Sequence, residues 1–383
     1  MAQQNTNTEM QASLTRPGAD NGGTDARALY LKLFSGEMFK GFEYNAIARD
    51  LVMKRTLTNG KSMQFIYTGR TKAEYHTPGN AILGNSDGAP PVAEKTVTVD
   101  DLLISSAFVY DLDETLAHYD LRSEISRKIG YALAEKYDRL IFRALTRGAR
   151  AASPITKTNF VEPGGTQVRV GTTTNASDAY SATALVTAFY DAAAAMDEKG
   201  VSSEGRVGIL NPRQYYALIQ QVGENGLVNR DAQGDSRQRG NGIVEIAGIQ
   251  IYKSMNIPFL GKFGTEFSAS GVSDPGNTGS FIGETMADDG IVTGDSYGSR
   301  NDYGTAAKFA HSCGLIFQRE AAGCVESIGP QVQVTSGDVN VMYQGDLMVG
   351  RLAMGSDYLN PAACVELLAG ADGADSAEGT NGW

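Results

Sequence analysis

Residues 119–145, YDLRSEISRKIGYALAEKYDRLIFRAL, carry a long and regular hydrophobic pattern. Apolar side chains recur every fourth residue, at Leu121, Ile125, Ile129, Leu133, Tyr137, Ile141 and Leu145. This spacing predicts one continuous helix over 120–147, about 40 Å long. Asp120 is a suitable N-cap, and Gly148 is a suitable end. Four residues turn a helix by about 400°, so the apolar stripe drifts around it by about 40° per step. Several neighbours must therefore cover the stripe.

Alternating apolar and polar residues predict two strands separated by a long loop. MQFIY (63–67) and TVTVD (96–100) are typical of strands. About 25 residues rich in glycine and proline separate them, whereas hairpin loops usually have about 2–5 residues. A loop of that length is usually functional or disordered. LLISSAFVYDL (102–112) continues as a further strand, with Phe108, Tyr110 and Leu112 on one face.

The middle of the chain predicts a separate α/β subdomain. SATALVTAFYDAAAAMDEKG indicates a helix that ends at Gly200 and turns Leu185, Phe189, Ala192 and Met196 inward. RVGILNP follows as a short buried strand, and the next helix begins with a cap at Asn211 and Pro212 at its first position. IVEIAGIQIYKS predicts a hairpin around Ala247 and Gly248. The last third is rich in strands: GLIFQREA, QVQVT, VNVMYQGDLMVGRLAM and AACVELL.

Length and charge limit the classes of function. The 383 residues suffice for two or three packed units. With 33 Lys and Arg against 44 Asp and Glu, the formal charge is −11, which gives no electrostatic basis for tight nucleic-acid binding. No apolar run approaches the length of a membrane span. The N-terminus lacks the basic start and apolar run of a signal peptide, and residues 1–27 are polar and without period, typical of a flexible arm.

The sharpest catalytic motif is GDSYG at 294–298, which fits the nucleophile elbow G-x-S-x-G. That elbow requires a helix after the serine, and SRNDYG is instead a turn sequence. We interpret the motif as a loop, with a serine hydrolase using Ser296 as an alternative. NGKS at 59–62 matches the end of a phosphate-binding loop, but the first glycine of that motif is replaced by Arg55. We interpret NGKS as a hairpin turn.

Metal and redox chemistry have little support in the sequence. His76, His118 and His311 lie far apart without ligand spacing. Asp111, Asp113 and Glu114 cluster where a strand meets the long helix. The simplest interpretation is that their negative charges interact favourably with the positive end of the helix dipole. The cysteines, Cys313, Cys324 and Cys364, form no CxxC pair, which favours a reducing compartment. Cys313 and Cys324 are predicted to be small buried residues.

Four further segments are informative: LYLKLFSGE (29–37), YTGRTKAEY (67–75), VTVDDLLISSAFVYDLDETLAHYDLRSE (97–124) and LAMGSDYLNPAA (352–363). They resemble the major capsid protein of tailed bacteriophages, in its short-tailed, podophage branch. The match at 97–124 is the most specific, and 224–305 has no clear counterpart. The resemblance implies the α+β fold named for the Hong Kong phage. Its parts would be an N-terminal arm (1–61, with 1–27 flexible), an extended two-stranded loop (62–101), a peripheral domain with a spine helix (102–180, helix 120–147), an α/β axial domain (181–317), peripheral return strands (318–368) and a flexible tail (369–383).

The resemblance implies a structural protein rather than an enzyme, without cofactors. Copies would assemble through hexamers and pentamers into an icosahedral shell around double-stranded DNA, which the shell would contact non-specifically. A scaffolding protein and a portal protein would be further partners, and no membrane is involved. The protein would belong to the virion and assemble in the cytoplasm of a bacterial host. An encapsulin-like cellular compartment, filled with a cargo enzyme, is an alternative with the same fold.

Nine residues are candidates for an assembly or structural role. Ile125, Ile129, Leu133, Tyr137 and Ile141 come from the apolar stripe of the long helix, and Arg70, Lys72, Tyr75 and Glu94 come from the extended loop that the resemblance implies. Some relatives cross-link their shells through a lysine in this loop. Lys72 lies in the loop without the matching surroundings, so we predict no cross-linking.

Overall fold

Helices and sheets both contribute to the structure, a computed structural model, as the predicted α+β class requires. It describes residues 47–69, 75–79, 92–99, 102–112, 121–157, 160–171, 176–220, 244–254, 256–257, 280–281, 284–285, 312–335 and 343–369. In these residues α-helices span α1 Ala48–Leu51, α2 Leu121–Arg150, α3 Ala182–Glu198 and α4 Pro212–Gln220. Short 3-10 helices span Ala176–Tyr180 and Pro361–Ala363. Strands are β1 Met53–Thr56, β2 Ser62–Thr68, β3 Val92–Thr98, β4 Leu103–Tyr110, β5 Thr156–Lys157, β6 Phe160–Val161, β7 Thr166–Arg169, β8 Arg206–Leu210, β9 Val244–Ile246, β10 Ile249–Lys253, β11 Ser280–Phe281, β12 Glu284–Thr285, β13 Ser312–Gln318, β14 Ala322–Thr335, β15 Gly345–Tyr358 and β16 Cys364–Leu368.

The strands form two larger sheets and several pairs. The larger sheet has the order β7-β16-β13-β8-β10-β9, and a four-stranded sheet has the order β1-β14-β15-β4. In the six-stranded sheet β8 is parallel to β10, while β13 runs antiparallel to both β8 and β16. Two-stranded pairs are β2 with β3, β5 with β6, and β11 with β12.

Two compact units can be separated. Among the described residues, the first unit holds residues 99, 102–112, 121–138, 326–335 and 343–354, and the second unit holds the rest. Helix α2 therefore supplies residues to both units. The six-stranded sheet with helices α3 and α4 belongs to the second unit.

The core of the second unit forms where α3 and α4 pack on the six-stranded sheet. As predicted, Leu185, Phe189, Ala192 and Met196 of α3 are buried, and Gly200 follows the helix with φ +72°. A Cβ at Gly208 of strand β8 would lie 2.7 Å from Cε1 of Phe189. A side chain at position 208 would force the Phe189 ring to move, so the glycine allows the helix to pack closely on the strand.

Two local predictions in this unit are confirmed. The Asn211 side chain accepts a hydrogen bond from the Gln214 backbone N–H at 3.2 Å, and the Gln214 side chain accepts one from the Asn211 N–H at 3.0 Å. This reciprocal capping box starts α4 with Pro212 at its first position. Between β9 and β10, Ala247 and Gly248 take φ values of +52° and +75°, the conformation of a two-residue hairpin turn.

In the first unit, α2 packs on the pair formed by β4 and β15. The two strands are antiparallel from Gly345 opposite Tyr110 to Leu352 opposite Leu103. The apolar contact comprises Val109, Ile129, Leu133 and Met348, with Leu103, Ala107 and Ile125 at its margin. A Cβ at Gly350 would lie 2.3 Å from Cγ2 of Ile129, so this glycine lets the helix lie directly on the sheet.

The predicted end of the long helix was wrong. Helix α2 continues through Gly148 to Arg150. A Cβ at Gly148 would lie 2.7 Å from Sγ of Cys364 and 2.8 Å from Cβ of Tyr358. The glycine therefore serves close packing rather than termination, and nothing in the local sequence distinguishes the two uses. The proposed cap Asp120 lies outside the described residues.

The predicted return strands of 318–368 belong to two sheets. Strands β14 and β15 lie in the four-stranded sheet, whereas β16 pairs with β13 antiparallel and with β7 parallel in the six-stranded sheet. That sheet thus extends beyond the predicted boundaries 181–317. Strand β13 is buried from Ser312 to Phe317, so backbone groups on both of its edges need partners. Strand β8 provides hydrogen-bond partners along one edge of β13, and β16 provides them along the other.

Candidate assembly surfaces

The predicted extended loop begins and ends in an antiparallel strand pair. Strands β2 and β3 are in register from Ser62 opposite Thr98 to Thr68 opposite Val92. Exposure alternates along both strands, so the pair has an inner face and an outer face. The inner face carries Met63, Phe65, Tyr67, Ala93, Lys95 and Val97, and the outer face carries Ser62, Gln64, Ile66, Thr68, Val92, Glu94, Thr96 and Thr98.

The inner face is fixed to the same subunit through Lys95. Its Nζ lies 3.0 Å from Oδ2 of Asp357 and 3.7 Å from the ring centre of Tyr358. Asp357 also lies 3.7 Å from Nη1 of Arg147 near the end of helix α2. The Tyr67 hydroxyl donates a weak hydrogen bond to Glu162 at 3.5 Å. These contacts tie the inner face of the hairpin to other residues of the second unit.

The outer face exposes apolar side chains to solvent in a single copy. Ile66 is 74% exposed and Val92 is 59% exposed, and Gln64, Thr68, Glu94 and Thr96 surround them as exposed polar residues. An apolar patch with a polar rim is typical of a protein interface. A two-stranded hairpin is marginally stable by itself, so a surface covering this face would stabilise the hairpin.

The structure separates the candidate residues of the predicted loop. Glu94 lies on the outer face opposite Ile66, and Tyr75 beyond the end of β2 is fully exposed. Arg70 and Lys72 lie outside the described residues. Glu94 and Tyr75 do not contact each other, so they mark two separate positions along the extended loop.

The candidate residues on the helix are interior. Ile125 is half-buried, while Ile129, Leu133, Tyr137 and Ile141 are buried. In the first unit the Tyr137 hydroxyl donates a hydrogen bond of 2.7 Å to Oε1 of Glu326. The stripe therefore contributes to folding of the subunit itself.

The catalytic alternatives receive no geometric support from the described residues. Ser296, Asp113, Glu114, His118 and His311 lie outside them, and His76 is exposed. Within the described ranges, no group of three His, Cys, Asp or Glu could hold a metal ion. NGKS leads into strand β2, as expected, but β1 and β2 belong to different sheets, so the predicted hairpin turn was wrong.

All three cysteines are buried and none of them forms a disulfide, and the burial was predicted for Cys313 and Cys324. Burial raises the pKa of the Cys313 and Cys364 thiols. A buried thiol with a raised pKa is a poor nucleophile, so these groups act as packing residues.

Sequence reasoning missed an open cleft of about 610 Å³ in the second unit. Its lining includes Tyr67, Glu162, Lys199, Arg319 and Asn360. The Lys199 ammonium donates to the carbonyls of Gly164 and Gly165 at 2.7 and 2.9 Å, and also to Thr166. Burial lowers the pKa of Lys199. These contacts hold a loop, and no local pattern could have predicted them because the partners are 33–35 residues apart.

The sequence also gave no sign of a buried ion pair in the second unit. Arg150 donates from Nε and Nη2 to the two carboxylate oxygens of Glu366 at 2.8 and 2.7 Å. Gln167 donates to the same carboxylate at 3.0 Å. The charged partners are 216 residues apart, so only the folded sheet brings them together.

None of the described helices is long and apolar enough to cross a membrane.

Comparison with known proteins identifies the family. The family model "Gp10A-like: Major capsid protein" matches residues 64–368. The major capsid protein of Escherichia phage T7 is 26% identical over 350 residues, covering 88% of this chain and 91% of that protein. The major capsid protein of Enterobacteria phage T3 is 33% identical over 133 residues, covering 34% of this chain and 38% of that protein.

Solved structures agree with the family match. A capsid structure of cyanophage P-SCSP1u has a TM-score of 0.66 and 31% identity, and the match covers 92% of this chain and 97% of that chain. The mature capsid of bacteriophage PhiM1 has a TM-score of 0.62 at 14% identity, with 88% and 91% covered; at that identity it shows the fold alone. Because the family model spans most of the sequence, the chain belongs to the Gp10A-like family of major capsid proteins.

Proposed function

We propose that this protein is the structural subunit of a bacteriophage capsid and that its copies assemble into the closed shell of a short-tailed phage. Family membership and the likeness to phage capsid structures support this function. None of the relatives described above is an encapsulin or a hydrolase, and no enzymatic step is needed to build a shell from folded subunits.

The observation that carries the proposal is the two-faced hairpin of β2 and β3. Its inner face is tied to its own unit by Lys95 and Asp357. Its outer face exposes Ile66 and Val92, and burial of apolar area drives association between proteins. A second copy of the chain is the partner that a closed shell of identical subunits supplies.

The proposal extends to the parts of the subunit. Helix α2 would be the spine of the peripheral region, the β2–β3 hairpin would be the extended arm that lies on a neighbour, and the helices and sheet of the second unit would form the axial domain. The arm residues Arg70, Lys72, Tyr75 and Glu94 would contribute to contacts between copies. The fully exposed ring of Tyr75 supports this role, because tyrosine is enriched at interfaces.

Further partners follow from the same function. A scaffolding protein would guide assembly, a portal protein would occupy one vertex, and double-stranded DNA would fill the shell in a process completed in the bacterial cytoplasm. The formal charge of −11 supports an inner wall that repels DNA weakly and lets it slide during packaging.

Electron microscopy of the purified full-length chain, expressed with and without scaffolding protein from the same phage, tests the function. We expect closed particles of uniform size when scaffolding protein is present, and particles from infected cells should contain DNA. Protein that stays monomeric under both conditions, or particles filled with a cargo enzyme, would contradict the proposal.

A further inference from the structure

The β9–β10 hairpin forms one edge of the six-stranded sheet, with β9 as the outermost strand. Ile249 and Ile251 are buried in the core with helix α4, whereas Gln250 is exposed. Alternation along the strand places Tyr252 on the side of Gln250 and Lys253 on the side of the helices. The edge therefore has two faces, and both are accessible on a single copy.

The helix-side face is basic and aromatic. The Lys253 ammonium donates a hydrogen bond of 2.9 Å to the Tyr216 hydroxyl. It also lies 5.0 Å from the ring centre of Tyr216 and 5.6 Å from that of Tyr215. Tyr216 is 41% exposed, and Arg213 is exposed one helical turn earlier on α4. We call Arg213, Tyr216 and Lys253 the basic face.

The opposite side of the same edge is acidic and polar. Glu245 on β9 lies directly opposite Gln250 on β10, and both side chains are exposed. The half-buried Tyr252 donates a weak hydrogen bond of 3.4 Å to the Gln250 side chain. We call Glu245, Gln250 and Tyr252 the acidic face.

We propose that the basic face of one copy docks against the acidic face of the next copy, so that the β9–β10 edges stack head-to-tail around a symmetry axis. This inference rests on the proposed function and names the residues of one contact in the shell. Different surfaces meet in such a contact, and heterologous contacts close into rings when the rotation fits.

Three observations select a second copy as the partner. The two faces are different surfaces on opposite sides of one sheet edge, and a head-to-tail contact between identical subunits needs two different surfaces. They have opposite charge, which favours the correct register and suppresses contact between two like faces. Each face also presents a tyrosine beside a polar group, and tyrosine and arginine are enriched in protein interfaces.

Charge reversal tests the contact. Lys253→Glu should lower the yield of closed particles by about tenfold or more, because it places a carboxylate opposite Glu245. Glu245→Lys should cause a similar loss, because it faces Arg213 and Lys253. In a strict head-to-tail contact every interface of the variant carrying both changes again pairs opposite charges, so that variant should recover a yield within about threefold of the parent.

Matched controls separate this contact from general charge effects. Arg319→Glu and Glu204→Lys change the net charge equally at exposed positions on other turns, and they should assemble like the parent. Thermal unfolding should show that every variant folds; if Lys253→Glu does not fold, Lys253→Gln with Glu245→Gln provides the comparison without reversal.

When the parent chain assembles, the charge reversals test this contact alone. Single reversals that assemble normally, or a double reversal that stays as defective as the singles, would overturn the proposed pairing and leave the capsid function intact. A parent chain that forms no particles under any condition would instead contradict the capsid function on which the pairing depends.

Discussion

Arg150 and Glu366 form a bidentate ion pair whose side chains are 1% and 0% exposed. The arginine ends helix α2, and the glutamate lies in strand β16 of the six-stranded sheet. The pair thus fixes the end of the longest described helix to one strand of the sheet. Burying two charges costs desolvation energy, which only close pairing and further hydrogen bonds can offset.

Removing one partner should be far more harmful than removing both. Arg150→Met leaves the Glu366 carboxylate buried with only Gln167 as a described side-chain donor, and we expect a loss of about 3–5 kcal/mol in the free energy of unfolding. The double variant Arg150→Met with Glu366→Leu buries no charge and should recover much of this loss. Chemical denaturation of unassembled subunits measures both. A single variant within about 1 kcal/mol of the parent would show that the pair is not buried in solution.

The apolar stripe of α2 predicts a second stability effect. Ile129 is 4% exposed and contacts the sheet of the first unit, so Ile129→Asp buries a carboxylate in an apolar contact. We expect a loss of about 4 kcal/mol or more, seen as insoluble or unassembled protein. The neighbouring Gly130 is exposed, and a Cβ there meets no atom within 4 Å. Gly130→Ala should therefore stabilise the helix by about 0.5–1 kcal/mol and assemble normally.

The sequence predicted features that depend on neighbouring residues, but it did not predict pairing between distant segments. The cap at Asn211, the turn at Ala247 and Gly248, and the buried face of α3 depend on residues close in the chain, and all three were predicted. Gly148 was misread because a glycine at a helix end and a glycine under a packed strand look alike in one sequence. The choice depends on Cys364 and Tyr358, more than 200 residues away.

The same limit applies to the assembly surfaces. The strands of the extended loop were predicted from alternation, but alternation alone does not tell which face lies on its own subunit. Lys95 decides this through Asp357, a contact between distant segments. The apolar run AACVELL predicted a strand but did not indicate its sheet, because such a run fits any buried position.

Buried thiols make stability depend on pH. Burial raises the pKa of Cys313 and Cys364 above the ordinary value of 9.0. Below that pH the thiols are protonated in both the folded and the unfolded chain, and their contribution to the free energy of unfolding is fully present. As the pH rises further, the unfolded chain loses its thiol protons first, so the free energy of unfolding falls by up to about 1.4 kcal/mol per pH unit for each thiol.

Thermal unfolding between about pH 7 and pH 10 measures this decline. The variant Cys313→Ala with Cys364→Ala should show a shallower decline than the parent, whatever its stability at neutral pH, since the slope rather than the absolute value reports the thiols. Equal slopes in parent and variant would mean that the two thiols keep ordinary pKa values in the folded protein.

The extended arm should be needed for assembly and dispensable for folding. Thr68 and Val92 lie directly opposite each other at the ends of β2 and β3, so residues 69–91 can be replaced by Asn-Gly, a dipeptide that closes two-residue hairpins. The inner-face contacts of Lys95 remain, and we expect the cooperative thermal unfolding of the subunit to be nearly unchanged. Closed particles should be absent even with scaffolding protein, because weak contacts repeated through a shell add up by avidity.

A control variant replaces residues 69–91 with a Gly/Ser loop of the original length. This loop keeps the length of the segment but removes its side chains, so it should also fail to close shells if those side chains make the contacts. Sedimentation and electron microscopy decide the outcome. Normal shells from the shortened chain would show that residues 69–91 are not needed for assembly, and a large drop in unfolding temperature would show that these residues stabilise their own subunit.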